Sequence, residues 1–211
     1  MSSYIERVKE NLFPLSIEKE DLSKAFKEWL YNENAFDLEQ DVEDCQLCNH
    51  PNIRYQFEIV NKHNENELLV GSECIKRFNI AATDEFGNIL NQEESRKKVD
   101  KSRRKLISDA SKRRAITSLI RLSAVEEKFD IDSFIGYLQD NGAFTPNQLS
   151  TLDWRMNEHK IRHNPGDFKM KIRRDREKDQ LREMEDWKIR KLWPYMSVNQ
   201  QKWYRNNTNE Y

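Results

Sequence analysis

The stretch CQLCNHPNIRYQFEIVNKHNENELLVGSECIKRF, residues 45–78, holds all three cysteines of a 211-residue chain. Cys45 and Cys48 have the two-residue gap that lets two thiolates reach one ion from a tight turn. Ile53, Tyr55, Phe57 and Ile59 then alternate with Arg54, Gln56 and Glu58, the period-2 pattern of a strand with one buried face. NKHNEN supplies turn residues, and ELLV returns as a second strand, which makes a hairpin. Gly71 and Ser72 break that strand, and ECIKRFNI reads as a short helix with Cys74 in its first turn. A helix amino terminus favours a thiolate through its dipole. Knuckle, hairpin and helix in this order are the layout of a small, treble-clef-like zinc module with one β-hairpin.

Three thiolates leave one place open on a tetrahedral ion. His50, two residues past Cys48, is the nearest candidate. His63 lies in the hairpin turn, and eight strand residues at about 3.3 Å each carry it well away from the knuckle. His159, His163 or a water could also fill the place. The competing reading is that the cysteines are small buried hydrophobes. Three sulfurs quench the Lewis acidity of a bound ion. The set Cys45, Cys48, His50 and Cys74 therefore points to a structural Zn2+. The zinc-deaminase signature is absent, since Pro51 and Asn52 follow His50.

These residues, preceded by FKEWLY, resemble a signature of uncharacterised bacterial, plasmid and phage proteins: C-x-L-C-x-H, then I-R-Y-x-F-x-I-x-N, then L-x-V-G-S-x-C-I. The resemblance covers roughly residues 25–80. It implies a metal-binding module, a recurring His after the second Cys, and a mobile-element origin. It implies no activity, and nothing for the carboxy-terminal part. Asn49 stands where glycine is usual in such knuckles, and Asn tolerates the left-handed conformation.

The composition bounds the rest. Hydrophobic residues make up 36% and charged residues 35%, so apolar supply is thin and helices with wide solvated faces are expected. Residues 1–44 hold twelve Asp or Glu against five Lys or Arg, a local net of −7. Residues 95–121 hold eleven Lys or Arg against two Asp, a local net of +9. No apolar run approaches the roughly 20 residues a membrane span needs. The amino end carries charges where a secretion signal would be apolar, so a cytoplasmic protein is expected. In a reducing compartment, clustered cysteines point to metal rather than disulfides.

Working outward, YIERVKENLF reads as a short helix ended by Pro14. Ser16 offers an N-cap for a helix through IEKEDLSKAFKEWLY, with Leu22, Phe26, Trp29 and Leu30 at helical spacing. NENAFDLEQDVED reads as a polar connection. From about residue 92 the pattern is helical. A long basic helix comes first, then one starting at Asp132 or Ser133 and stopped by DNGA. FTPNQLSTLDW and MSVNQQKWYR share a capping-box pattern, with Thr145 and Ser197 as caps and Gln148 and Gln200 reaching back. KMKIRRDREKDQLREMEDWKIRKLW reads as one mixed-charge helix. The fold class is α+β, predominantly helical. Acidic helices span 1–40, the zinc module 41–82, and a basic helical domain 92–211.

The basic run is Arg96, Lys97, Lys98, Lys101, Arg103, Arg104, Lys105, Lys112, Arg113 and Arg114, followed by Arg121. On a helix it extends over tens of ångströms and could meet the phosphates of DNA or RNA. It could equally pair with the acidic amino-terminal residues, within or between chains, or simply be solvated. KWYRNN adds aromatic and basic residues that could stack on bases or pack on Trp187 or Trp193. His159 and His163 lack the metalloprotease order and suit a helix end. No phosphate-binding glycine loop or nucleophile elbow is present. The sequence points to a non-enzymatic, zinc-stabilised nucleic-acid-associated protein. A mobile-element protein that modulates a host protein complex is the rival, and an enzyme built from scattered residues is the third reading.

Overall fold

The computed structural model describes residues 3–39 and 42–208. The chain divides into two compact units, Met1–Ala110 and Ser111–Tyr211, each with its own apolar core.

In the first unit, α1 (Tyr4–Leu12) starts at Ser3, whose hydroxyl caps Glu6 while the Glu6 carboxylate reaches back to the Ser3 N–H. A 3-10 turn carries Pro14. Helix α2 is only Leu22–Phe26, capped by Asp21. Ser16 does not cap it. Its hydroxyl donates to Leu12 O and accepts the indole N–H of Trp29 at 2.9 Å. Trp29 and Leu30, expected on a helix, open strand β1 (Trp29–Asp37) instead. Trp29 and Tyr31 are buried on one face, and this alternation of two competes with the helical spacing of so short a run. The first half of the expected polar connection is therefore strand. Gln40 and Asp41, further along it, lie outside the described residues.

The expected hairpin is present as β2 (Tyr55–Asn61) and β3 (Glu67–Val70), antiparallel, with Phe57 paired to Val70 and Ile59 to Leu68. It belongs to a larger sheet of order β3-β2-β1-β4. Strand β1 runs antiparallel to β2, and the two-residue β4 (Ala81–Ala82) lies parallel on its other side. Between β3 and β4 comes α3 (Ser72–Arg77). The core of this unit joins Val8 and Leu12 of α1, Trp29 and Tyr31 of β1, Phe57 and Ile59 of β2, and all three cysteines. The segments expected to form separate domains at 1–40 and 41–82 thus share one core.

Helix α4 (Gln92–Ser123) places Val99 in the first core, and Ala115, Leu119 and Leu122 in the second. Helix α5 (Ile131–Asn141) starts one residue before the expected positions because Asp130 caps it, and Gly142 stops it in the left-handed conformation. The expected capping box at Thr145 opens α6 (Pro146–Glu158). The expected mixed-charge helix is two: α7 (Asp175–Arg182) and α8 (Asp186–Leu192), with Met184 of the break packed against the core. The second expected capping box, at Ser197, opens α9 (Val198–Asn207).

Glu28 holds the segment after α1 against the sheet. Its buried carboxylate accepts the N–H groups of Ile17 and Glu18 and the side-chain amide of Asn61, at 2.7–2.8 Å. Burial pushes the carboxyl up. The three donors outweigh it and leave the pKa below the usual value. A lowered folded-state pKa contributes stability that is present above the unfolded value of about 4.3 and lost as pH falls through the folded value. Glu28→Gln should therefore lower stability at pH 7 and flatten its decline below about pH 4. Denaturant titrations of both chains at several pH values measure this. Parallel acid limbs would contradict it.

Candidate metal centre

The knuckle is built by its own backbone. The Cys45 carbonyl accepts Asn49 N–H at 2.8 Å, and Cys45 N–H donates to His50 O at 2.9 Å. Asn49 takes the left-handed conformation, φ 55°. Leu47, fully buried, plugs the loop into the core. Gln46 fastens it to β3, donating its N–H to Leu69 O and accepting Leu69 N–H on its side-chain oxygen at 2.7 Å. Cys74 arrives from the other direction, on the first turn of α3.

These three segments bring the thiols together. Cys45 Sγ lies 3.7 Å from Cys74 Sγ, and Cys74 Sγ lies 3.4 Å from Cys48 Sγ. All three sulfurs lie within 4.8 Å of one another, are buried, and form no disulfide. The Gly71 N–H points at Cys45 Sγ at 3.5 Å. The Cys74 thiol, and the backbone N–H groups of Gly71, Cys48 and Leu47, pull Cys45 below the usual thiol range against the upward push of burial. Hydrogen bonding to Cys45, burial and the neighbouring sulfurs push Cys74 up. The thiols thus compete, each opposing ionisation of its neighbour. A cation among them would remove that competition, because metal binding favours every thiolate at once. The cluster could hold a metal ion.

His50 stands apart from the sulfurs. It is exposed and lines a cavity of about 390 Å³ on which the three cysteines also open, but its ring is not among the clustered ligand atoms. His63 sits in the hairpin turn, its N–H held by Asn61. In the second unit His159 faces Glu126 at 3.3 Å, and the half-buried His163 meets the Tyr195 hydroxyl at 2.7 Å.

Helix α1 is the part of the site that sequence reasoning missed. Tyr4 places its hydroxyl 3.8 Å from Cys74 Sγ. Arg7 Nε donates to Cys48 O at 3.2 Å, and the Asn11 amide donates to Leu47 O at 3.1 Å and Asn49 Oδ1 at 3.0 Å. Burial raises the Tyr4 phenol, and Cys74 adds to it. Arg77 covers the same ring at 4.8 Å. The spacing 4, 7, 11 marks one helical face, which is the signal that could have pointed to a polar docking surface.

No protein family, curated protein or solved structure matches the chain.

The basic residues of α4 separate into two kinds. Several are engaged. Arg96 donates to Asn79 Oδ1, Lys97 pairs with Glu93, Lys98 with Glu33, and Arg103 with Glu73 at 3.7 Å. In the second unit Lys112 donates to Gln139 O, and Arg114 makes a two-pronged bond to the buried Asp167 at 2.9 and 2.5 Å. Arg113 is exposed and also engaged. Lys101, Arg104 and Lys105 are exposed and carry no ion-pair partner among the described residues. Arg114→Ala should destabilise the second unit by about 1–3 kcal/mol, because it strands the Asp167 carboxylate. Lys105→Ala should stay within about 0.5 kcal/mol of the parent. Urea unfolding of the two variants checks the contrast, and equal effects would refute it.

Proposed function

We propose that this is a non-enzymatic, zinc-stabilised nucleic-acid-associated protein of mobile-element origin. Zinc, held by Cys45, Cys48, Cys74 and His50, orders the first unit, and the exposed cations of α4 meet phosphates. The observation that carries the nucleic-acid reading is the set Lys101, Arg104 and Lys105, exposed and without an ion-pair partner among the described residues. Exposed cations along one helix attract a polyanion, and here Lys101 and Lys105 do so from a groove they share with Glu33, Asp84, Glu85 and Asp109. Lys101 and Lys105 are one helical turn apart, about 6 Å along the axis.

The sulfur spacing supports zinc. Zn–S bonds of about 2.3 Å put sulfurs about 3.8 Å apart around a tetrahedral ion. The separations of 3.7 and 3.4 Å are close to that value. His50 lines the same cavity as the three cysteines and is the imidazole nearest to them in sequence. Arg77 and Arg103 border the same cavity and offset the charge of the thiolates.

Replacing Lys101, Arg104 and Lys105 together by Glu should abolish retardation of DNA or RNA at low salt and leave metal content unchanged. Replacing them by Ala should lower the slope of log affinity against log salt by about one per residue. Retardation that survives the charge reversal would sink the α4 reading. Cys48→Ser should speed amide exchange through residues 45–80 and leave α6 and α9 protected, since the second unit has its own core. Unchanged exchange at 45–80 would exclude a structural metal.

One feature favours the second reading, a protein that docks on a host protein complex. Phe86, 81% exposed, and Ile89, 57% exposed, project from the turn that Asp84 organises. Recovery of a single host protein from nuclease-treated lysate, lost on Phe86→Asp, would support that reading.

A further inference from the structure

The second unit leaves two of its tryptophans half in water. Trp154 on α6 is 53% exposed and Trp187 on α8 is 52%, whereas Trp29 in the first core is fully covered. Both line one cleft of about 430 Å³, within the range of roughly 300–1,000 Å³ that small ligands occupy. Large apolar faces shared by one cleft are uncommon on a surface without a partner.

Both rings are also held in place. The Trp187 indole N–H donates to Glu185 Oε2 at 3.0 Å, and Lys188 clamps the same oxygen at 3.0 Å. The Arg155 guanidinium lies 5.3 Å from the Trp154 ring. A ring that is already oriented loses little freedom when a flat ligand stacks on it. Two ammonium groups, Lys188 and Lys191, and one carboxylate, Asp153, line the cleft, and Lys188 is also paired with Glu185. Each ammonium sits over the Trp187 ring, 5.2 Å from its centroid. Lys191 has no carboxylate partner among the described residues. The single acid in the lining, Asp153, is occupied by the Tyr195 hydroxyl at 2.8 Å.

Indole faces beside ammonium groups suit a ligand that is both planar and anionic. A base in a duplex has its faces covered by its neighbours, and only an unpaired base can stack on a side chain. We propose that the cleft bordered by Trp154 and Trp187 takes unpaired bases of a single-stranded nucleic acid, with Lys191 swinging off the Trp187 ring to receive an adjoining phosphate. This takes its ligand class from the nucleic-acid reading above, but none of its residues belongs to α4.

The test is a titration of the full chain's tryptophan emission at low salt. One ligand is a twelve-residue oligothymidylate, the other an abasic strand of the same length. Both present the same phosphates, and only the first has rings to stack. The thymidylate should quench saturably and bind about tenfold or more tightly than the abasic strand. Trp154→Ala and Trp187→Ala should each cost about tenfold in affinity, and Trp187→Phe should recover most of it. The alanine variants should lose some thermal stability, since about half of each ring is buried, so affinities are compared well below the unfolding transition. Equal binding of the two strands, or full affinity in the alanine variants, overturns the cleft. If the thymidylate does not bind at all while the α4 charge reversal still abolishes duplex retardation, the cleft fails and the α4 reading survives.

Discussion

Three sulfur atoms in mutual contact inside an apolar core constrain everything around them. Thiolates repel one another, and burial opposes ionising each of them. Donors favour the thiolate on Cys45, while burial and the neighbouring sulfurs oppose it on Cys74. The surrounding chain nevertheless commits strongly to this arrangement. The knuckle turn, the Gly71 N–H and the start of α3 all converge on one point. Leu47, Phe57 and Ile75 close around it with no exposure above 1%. A metal is the natural resolution, because it turns a repulsive set into a bonded one.

The centre also organises parts of the chain remote in sequence. Helix α1 reaches the knuckle through side chains, not apolar packing alone. Arg7 and Asn11 satisfy the carbonyls of Cys48 and Leu47, which an irregular loop would otherwise leave without partners. Tyr4 and Phe26 both stack on Phe78, which follows α3 directly. The acidic amino-terminal segment therefore belongs structurally to the cysteine module. Little of its charge is answered by α4, where Lys98 meets Glu33 and leaves Lys101, Arg104 and Lys105 open to solvent.

Features whose cause is local were legible in the sequence. The alternation of residues 53–60 marked β2, the cysteine spacing marked the cluster, and Thr145-x-x-Gln148 and Ser197-x-x-Gln200 marked two helix starts. Features decided at long range were not. Leu22, Phe26, Trp29 and Leu30 fit a helix as well as they fit a helix followed by a strand. Pairing of Trp29 with Asn61 and of Leu30 with Ala81 chose the strand. Ala81–Ala82 is too short to carry a pattern and exists only because β1 offers an edge. The break between α7 and α8 follows from Met184 turning into the core, which a mixed-charge sequence does not announce. Of the site, the three cysteines were legible from spacing. Tyr4, Arg7 and Asn11 were not, since they meet the knuckle and Cys74 across 36 to 70 residues.

We propose that one ion, bound by these three sulfurs and one imidazole, orders the first unit. X-ray absorption at the zinc edge of the purified full chain tests it most directly. About one zinc per chain is expected, with three sulfurs near 2.3 Å and one nitrogen near 2.0 Å. Protein that folds with no bound transition metal, or with its metal surrounded by oxygen alone, would contradict it.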